Sequence, residues 1–196
     1  MRRIAGPGAK NRDVLLDAAE RLMLEEGHAA VTSRRVARAA GLKPQLVHYY
    51  FRTMDDLFLA VFRRRAEAGL RRQAEALASP EPLRALWEFS TDTAGTALTM
   101  EFMGLASHHE TIRAEIGRYA EQFRTAQVEA LTGVLERAGV PAEVLPPAAL
   151  ALLLSSIART TVMERAIGMS TGHDEILALV AKHLTALEHR PSSTPR

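Results

Sequence analysis

The chain has 196 residues, a formal net charge of +2 and no cysteine. That length can bury a substantial core in one or two domains, and the missing thiols exclude disulfides, thiolate metal sites and cysteine nucleophiles. The small total hides an asymmetry: residues 1–78 carry a net +6 and residues 79–196 a net −4, as expected of a nucleic-acid-binding head on a body that avoids nucleic acid.

No stretch alternates with period two for long, and valine and isoleucine are sparse, so the expected fold class is all-α. The opening MRRIAGPGAK lacks the apolar run of a signal peptide. The longest uncharged stretch, Val144 to Ala158, is 15 residues, short of the ~20 that span a bilayer. A cytoplasmic address without a membrane partner is therefore expected. Residues 1–10, with Arg2, Arg3 and Lys10, read either as a basic arm or as a frayed terminus.

Asn11 is expected to cap a first helix ending at Glu26 before Gly27. Val14, Leu15, Ala18, Leu22 and Met23 give it an apolar stripe, which makes it a scaffold for the short helices after it. Thr32 then caps a short helix to about Ala40, and Gly41 stops it. Pro44 opens another, since its missing N–H costs nothing at the first helical position. Val31 with Val36, and Leu42 with Val47, have the spacing of hydrophobic staples, while Thr53 and Asp56 form a capping box for the next helix.

Two short helices joined by a glycine turn make a helix-turn-helix, whose second helix enters the DNA major groove. With Val47 placed inward and 100° per residue, Pro44, Tyr50 and Phe51 share its side. Gln45, His48, Tyr49 and Arg52 then point outward, with Leu46 on the flank and Lys43 at the tip. Glutamine pairs bidentately with adenine, arginine or lysine with guanine, and an apolar surface meets a thymine methyl.

The run V-T-S-x-x-V-A-x-x-A-G-L, then L-V-H-Y-Y-F and D-D-L-F, resembles the N-terminal domain of TetR-family transcriptional regulators over Asn11 to Phe62. The resemblance implies an N-terminal three-helix helix-turn-helix domain joined by a long helix to a C-terminal helical ligand-binding and dimerisation domain. The division expected is residues 1–60, including the arm 1–10, and residues 61–196. The implied partners are a palindromic double-stranded DNA operator, a second copy of the chain and a small, hydrophobic effector that releases the DNA. Most members are repressors. The candidate DNA contacts are Thr32, Ser33, Arg34, Lys43, Pro44, Gln45, Leu46, His48, Tyr49, Arg52 and Thr53. Two positions depart from the family pattern: His48 stands where many members have tyrosine, and Met54 where many have lysine. With no cation at Met54, phosphate anchoring there falls to Arg52, Thr53 or the helix N-terminus.

The helix capped by Thr53 should run to about Ala78, its core side starting with Leu57, Phe58, Val61 and Phe62, and Arg63, Arg64 and Arg65 on a solvated face. Ser79-Pro80-Glu81-Pro82 is a linker. Pro82 starts a helix with Leu83, Leu86, Trp87 and Phe89, interrupted near Gly95. Leu98 to Ala106 forms a short methionine-rich helix, and Glu110 to Arg137 a long one ended by Gly139 and Pro141. Trp87, Met100, Phe102, Met103, Tyr119, Phe123 and Met163 are candidates to line an effector cavity, methionine being an adaptable wall; the same spacing also suits plain core. His108-His109-Glu110 lacks the helical spacing of a metal pair, so no metal or cofactor is expected.

Pro146-Pro147 starts a helix to about Met169 whose first turns are apolar nearly all round, which implies burial on more than one side. Asp174 to Glu188 forms the last helix. In the family two such helices per subunit build a four-helix dimer bundle, which here makes Ala151, Ser155, Ala158, Ile176, Val180 and Leu184 candidate interface residues. No G-x-S-x-G elbow, glycine-rich phosphate loop or H-E-x-x-H occurs, so an enzyme is not expected. A ligand-independent architectural protein on the same fold is the remaining alternative.

Overall fold

The computed structural model describes residues 7–189, and these form helices and connecting turns with no strand among them. They are α1 (Pro7–Glu26), α2 (Ser33–Ala39), α3 (Pro44–Tyr50), α4 (Met54–Leu77), α5 (Pro82–Ser90), α6 (Thr93–Ala106), α7 (Glu110–Arg137), α8 (Pro147–Ala166) and α9 (His173–Glu188), with a 3₁₀ turn at His28–Ala30. The all-α expectation holds. Most of the basic arm, residues 1–6, and the tail after His189 lie outside the described residues.

Helix ends follow local chemistry. Thr32 Oγ1 accepts from the Arg35 N–H, and Gly41, at φ 66°, closes α2 in a Schellman motif: Leu42 N–H donates to Ala37 O at 2.9 Å and Gly41 N–H to Arg38 O at 3.1 Å. The capping box of α4 is reciprocal, with Thr53 N–H donating to Asp56 Oδ2 at 3.0 Å and Asp56 N–H to Thr53 Oγ1 at 3.1 Å. Each such cap contributes about 1 kcal/mol.

Three boundaries differ from expectation. α1 starts at Pro7, not at an Asn11 cap, because proline suits the first helical turn as well as Pro44 does. The break between α5 and α6 falls at Thr91–Asp92 and Gly95 lies inside α6. The hydroxyls of Ser90 and Thr91 donate back to Leu86 O and Trp87 O, which terminates α5 there. α8 ends at Ala166, where Gly168 at φ 84° turns the chain before Met169.

The chain folds into two compact units. One comprises the chain through Glu67 together with Leu98–Arg118; the other comprises Ala68–Ala97 with the chain from Tyr119. The first has Leu15, Leu16, Ala19, Met23, Val36, Val47, Leu57 and Val61 at its centre, each buried. The expected stripe on α1 is widened by Leu16 and Ala19, whereas Val14 is only half-buried. Residues from α6 and α7 complete this unit: Phe102 meets Phe62 edge-on, ring centroids 5.1 Å apart, and Glu101 Oε2 accepts from the His28 N–H at 2.7 Å and contacts its Nδ1 at 2.8 Å. His109 Nδ1 lies 2.9 Å from Asp55 Oδ2.

The core of the second unit joins Leu83, Leu86 and Trp87 of α5, Leu131, Val134 and Leu135 of α7, Leu150, Ala151, Leu154 and Ala158 of α8, and Leu184 of α9. Burying each large side chain contributes roughly 1.5–3 kcal/mol against exposure. Glu188 near the end of α9 accepts the Leu83 and Arg84 N–H groups, so the last turn of one helix caps the first turn of another.

Candidate nucleic-acid interface

α3 is seven residues long and is held by what it buries. Val47 is 1% exposed and Phe51, just past its end, 3%. Arg12 of α1 lies over the Phe51 ring, 5.3 Å from its centroid. Lys43, Gln45, His48, Tyr49 and Arg52 are exposed and Leu46 is half-buried, as the helical-wheel placement of Val47 requires. Pro44 is the exception: it is exposed rather than inward, because it opens the helix at its free end, ahead of the buried turn. Tyr49 is 77% exposed, yet its ring stands edge-on to Tyr50 with centroids 5.0 Å apart. An exposed aromatic braced by a neighbour is a rigid contact surface that loses little side-chain entropy when it meets a partner.

At the start of α2, Thr32 and Arg34 are exposed and Ser33 half-buried. Arg35 is half-buried and bonds Glu26. Its charge serves the packing of α2 on α1. Arg21 of α1 also donates to Ala39 O at 3.2 Å, satisfying a carbonyl at the end of α2. Sequence reasoning misses both positioning contacts, because their partners are 18 and 9 residues apart, beyond any helical spacing rule.

The opening of α4 narrows the choice of phosphate anchor. Both backbone-directed groups of Thr53 are engaged by Asp56, and Asp55 and Asp56 put negative charge in the first turn. An anion at that N-terminus meets like charge. Arg52, exposed and with no ion pair among the described residues, is the cation beside it.

The family model described as "Bacterial regulatory proteins, tetR family" matches residues 15–61, the stretch from α1 through the first two turns of α4. Over that stretch the chain is similar to the tetR family. A curated relative, the HTH-type transcriptional regulator BetI of Rhizobium meliloti (strain 1021), is 29% identical over 130 residues, which is 64% of this chain and 59% of that protein; the match thus spans about three fifths of the relative's length. Among solved structures, a transcriptional regulator from Saccharomonospora viridis in complex with choline superposes with a TM-score of 0.76 at 19% identity, covering 92% of this chain and 96% of that one. The fatty acid degradation regulator FadR from Bacillus halodurans gives 0.69 at 18% identity, covering 95% and 97%. These likenesses extend the shared fold over nearly the whole chain. The relative is a transcriptional regulator, and residues 15–61 of this chain match the model of a family of regulatory proteins.

The residues proposed from sequence for an effector cavity do not converge within either unit. Met100, Phe102 and Met103 belong to the unit that contains α1–α3, whereas Trp87, Tyr119, Phe123 and Met163 belong to the other. Phe102 and Trp87 are core residues of their own units, and the three methionines are exposed; methionine flexibility did not decide which helix face they occupy. Of the expected interface set, Ala151, Ala158 and Leu184 are buried inside the chain's own core, and Ser155, Ile176 and Val180 are half-buried. The large apolar residues left exposed on α8 and α9 are instead Leu152, Leu153, Met163 and Leu179. Among the described residues no three His, Asp or Glu side chains gather as metal ligands do, and no helix is long and apolar enough to cross a membrane.

Proposed function

We propose that this regulator is a homodimeric repressor that binds a palindromic operator through α2 and α3 and is released by a small, largely apolar effector. The observation that carries the DNA-reading part is the outer face of α3. Gln45, His48, a braced Tyr49 and Arg52 are exposed together while Val47 and Phe51 are buried beneath them. Gln45 and Lys43 supply bidentate or charged contacts to base edges, Leu46 and Tyr49 meet thymine methyls, and Arg34, Arg52, Thr32 and Ser33 set the register on phosphates. Residues 1–60 are assigned to DNA binding and residues 61–196 to effector binding and pairing.

The pairing proposal rests on Leu152, Leu153, Met163 and Leu179, large apolar side chains left in solvent on the last two helices. Contiguous patches of this kind mark association surfaces. A two-fold dimer reads a two-fold site with half-sites about one turn, ~34 Å, apart. An effector acts by binding more tightly to the dimer whose recognition helices are wrongly spaced. A neighbour of the same fold holds choline, which supports a small-molecule site in the body without fixing its chemistry. Trp87, Tyr119 and Phe123 are the aromatic residues assigned to that region.

Selection from random duplexes tests this directly. The expected product is an inverted repeat, with repression of a reporter carrying it. Gln45→Ala and Tyr49→Ala should each lose about 1–3 kcal/mol on that sequence and little on unrelated duplex. A selected pool without two-fold symmetry, or equal losses on all sequences, refutes the assignment.

A further inference from the structure

A polar seam crosses the largely apolar core of the second unit. Gln73 of α4 and Gln127 of α7, 1% and 8% exposed, satisfy each other: Gln127 Nε2 donates to Gln73 Oε1 at 3.0 Å, and Gln73 Nε2 donates to Phe123 O at 3.0 Å. One turn earlier on α7, Arg124 carries the seam to α8, its Nη2 donating to Ser155 Oγ at 3.0 Å. Its Nη1 is shut off from solvent and has no hydrogen-bond acceptor. The charged groups around it are Arg159, one turn beyond Ser155 on α8, and Glu121, one turn before Arg124 on α7. Neither makes an ion pair among the described residues.

A guanidinium holds its proton under any physiological condition, so an adverse site cannot be relieved by neutralisation. Here burial, then the like charge of Arg159, weaken the hold on that proton, and Glu121 offsets them only in part. Leaving a buried donor unmet costs more than a typical hydrogen bond returns. Two guanidiniums against one carboxylate that pairs with neither leave the cluster short of negative charge.

We propose that Arg124, with Ser155 and Arg159, seats the anionic group of the effector, a carboxylate or phosphate on a small amphipathic molecule. The inference rests on the assignment of the body as effector-binding and specifies the ligand's charge. A quaternary ammonium is disfavoured at this site because the aromatic faces it would need are taken. Phe89 and Phe123 stack on each other at 6.3 Å, Arg72 already lies over Phe89, and Trp87 is packed in the leucine core; cation–π recognition requires an open ring face.

The test uses the purified full chain and four probes of equal chain length: octanoate, octyl phosphate, octan-1-ol and octyltrimethylammonium. Thermal melting and release of the selected operator are read for the parent, Arg124→Gln and Arg159→Gln. At least one of the two anions should raise Tm and release DNA at lower concentration than the alcohol or the ammonium. Arg124→Gln should weaken that response at least about tenfold, the scale of one charge-assisted hydrogen bond. Arg124→Gln should melt no lower than the parent without ligand, because it removes an uncompensated charge. A merely structural arginine gives the reverse: a lower Tm and an unchanged ranking of probes. Arg159 is exposed, so its variant folds and carries the test if Arg124→Gln does not; it too should weaken the anion response. Anions ranking below the alcohol or the ammonium overturn the charge assignment and leave the effector assignment standing. Silence from all four probes in both readouts overturns both. An Arg124→Gln protein of altered oligomeric size overturns the small-anion seat in favour of a partner-chain carboxylate.

Discussion

Arg63, Arg64 and Arg65 are consecutive in the chain and each reaches a carboxylate. Arg63 bonds Glu115 of α7, Arg64 bonds Asp17 and Glu20 of α1, and Arg65 lies 3.4 Å from Glu20. Charge counting reads such a run as solvated because its partners lie about 50 residues away in either direction, where no helical spacing applies. Glu115 is the most perturbed of these groups. Its hydrogen bond to Arg118, helped by Arg63 and opposed by burial, holds its pKa at about 2 instead of 4.5. A depressed carboxylate pKa stabilises the fold fully above the unfolded value, and that stability is lost as pH falls through the folded value. The parent should therefore lose Tm between about pH 4.5 and 2 more steeply than Glu115→Gln. With both arginines about half exposed, the difference at neutral pH is reduced by screening to about 1 kcal/mol. Superimposable acid-melting curves for the two proteins contradict this.

At the scale of the element, end chemistry was the most legible feature. Thr32, Gly41, Pro44 and the Thr53–Asp56 pair act as their residue types require, since a cap is a local match between a side chain and orphan backbone groups. Thr53→Ala should cost about 1 kcal/mol. Gly41→Ala should cost about 1–2 kcal/mol from the left-handed backbone alone, because nothing lies within 4 Å of an added Cβ; Gly41→Asn, which tolerates that conformation, should recover part of it. Urea midpoints decide both. Boundaries were missed where two signals competed: Pro7 against Asn11 for the start of α1, and the hydroxyls of Ser90 and Thr91 against Gly95 for the end of α5.

For the whole molecule, the apolar pattern of α8 implied burial on more than one side, yet within the chain only one side is buried and Leu152 and Leu153 stay exposed. Small residues at Ala151 and Ala158 admit close packing, and the structure uses them internally against α5 and α7. The opposite side, which carries Leu152 and Leu153, is the surface proposed above for pairing. Leu152→Glu combined with Leu179→Glu should convert a dimer to a monomer at micromolar concentration and abolish binding to a two-half-site operator. Retention of a dimer by sedimentation would place the pairing surface elsewhere. The recognition helix was legible for a different reason: its register is set by two buried residues, Val47 and Phe51, so the outward set is fixed by 100° steps. The polar seam of the second unit was not legible, because its members come from α4, α7 and α8 and meet only after folding.

The unit that carries the recognition helix is not contiguous in the chain. Phe102, Glu101, His109 and Glu115 are among its members, although they come some fifty residues or more after α3. A ribosome releases α3 well before these supports exist, so the nascent polypeptide presents a groove-binding segment with its backing unfinished. Fragments ending at residue 67 should consequently behave as a loose, protease-sensitive version of the head, and grafting the recognition segment onto another regulator calls for carrying Leu98–Arg118 along with it.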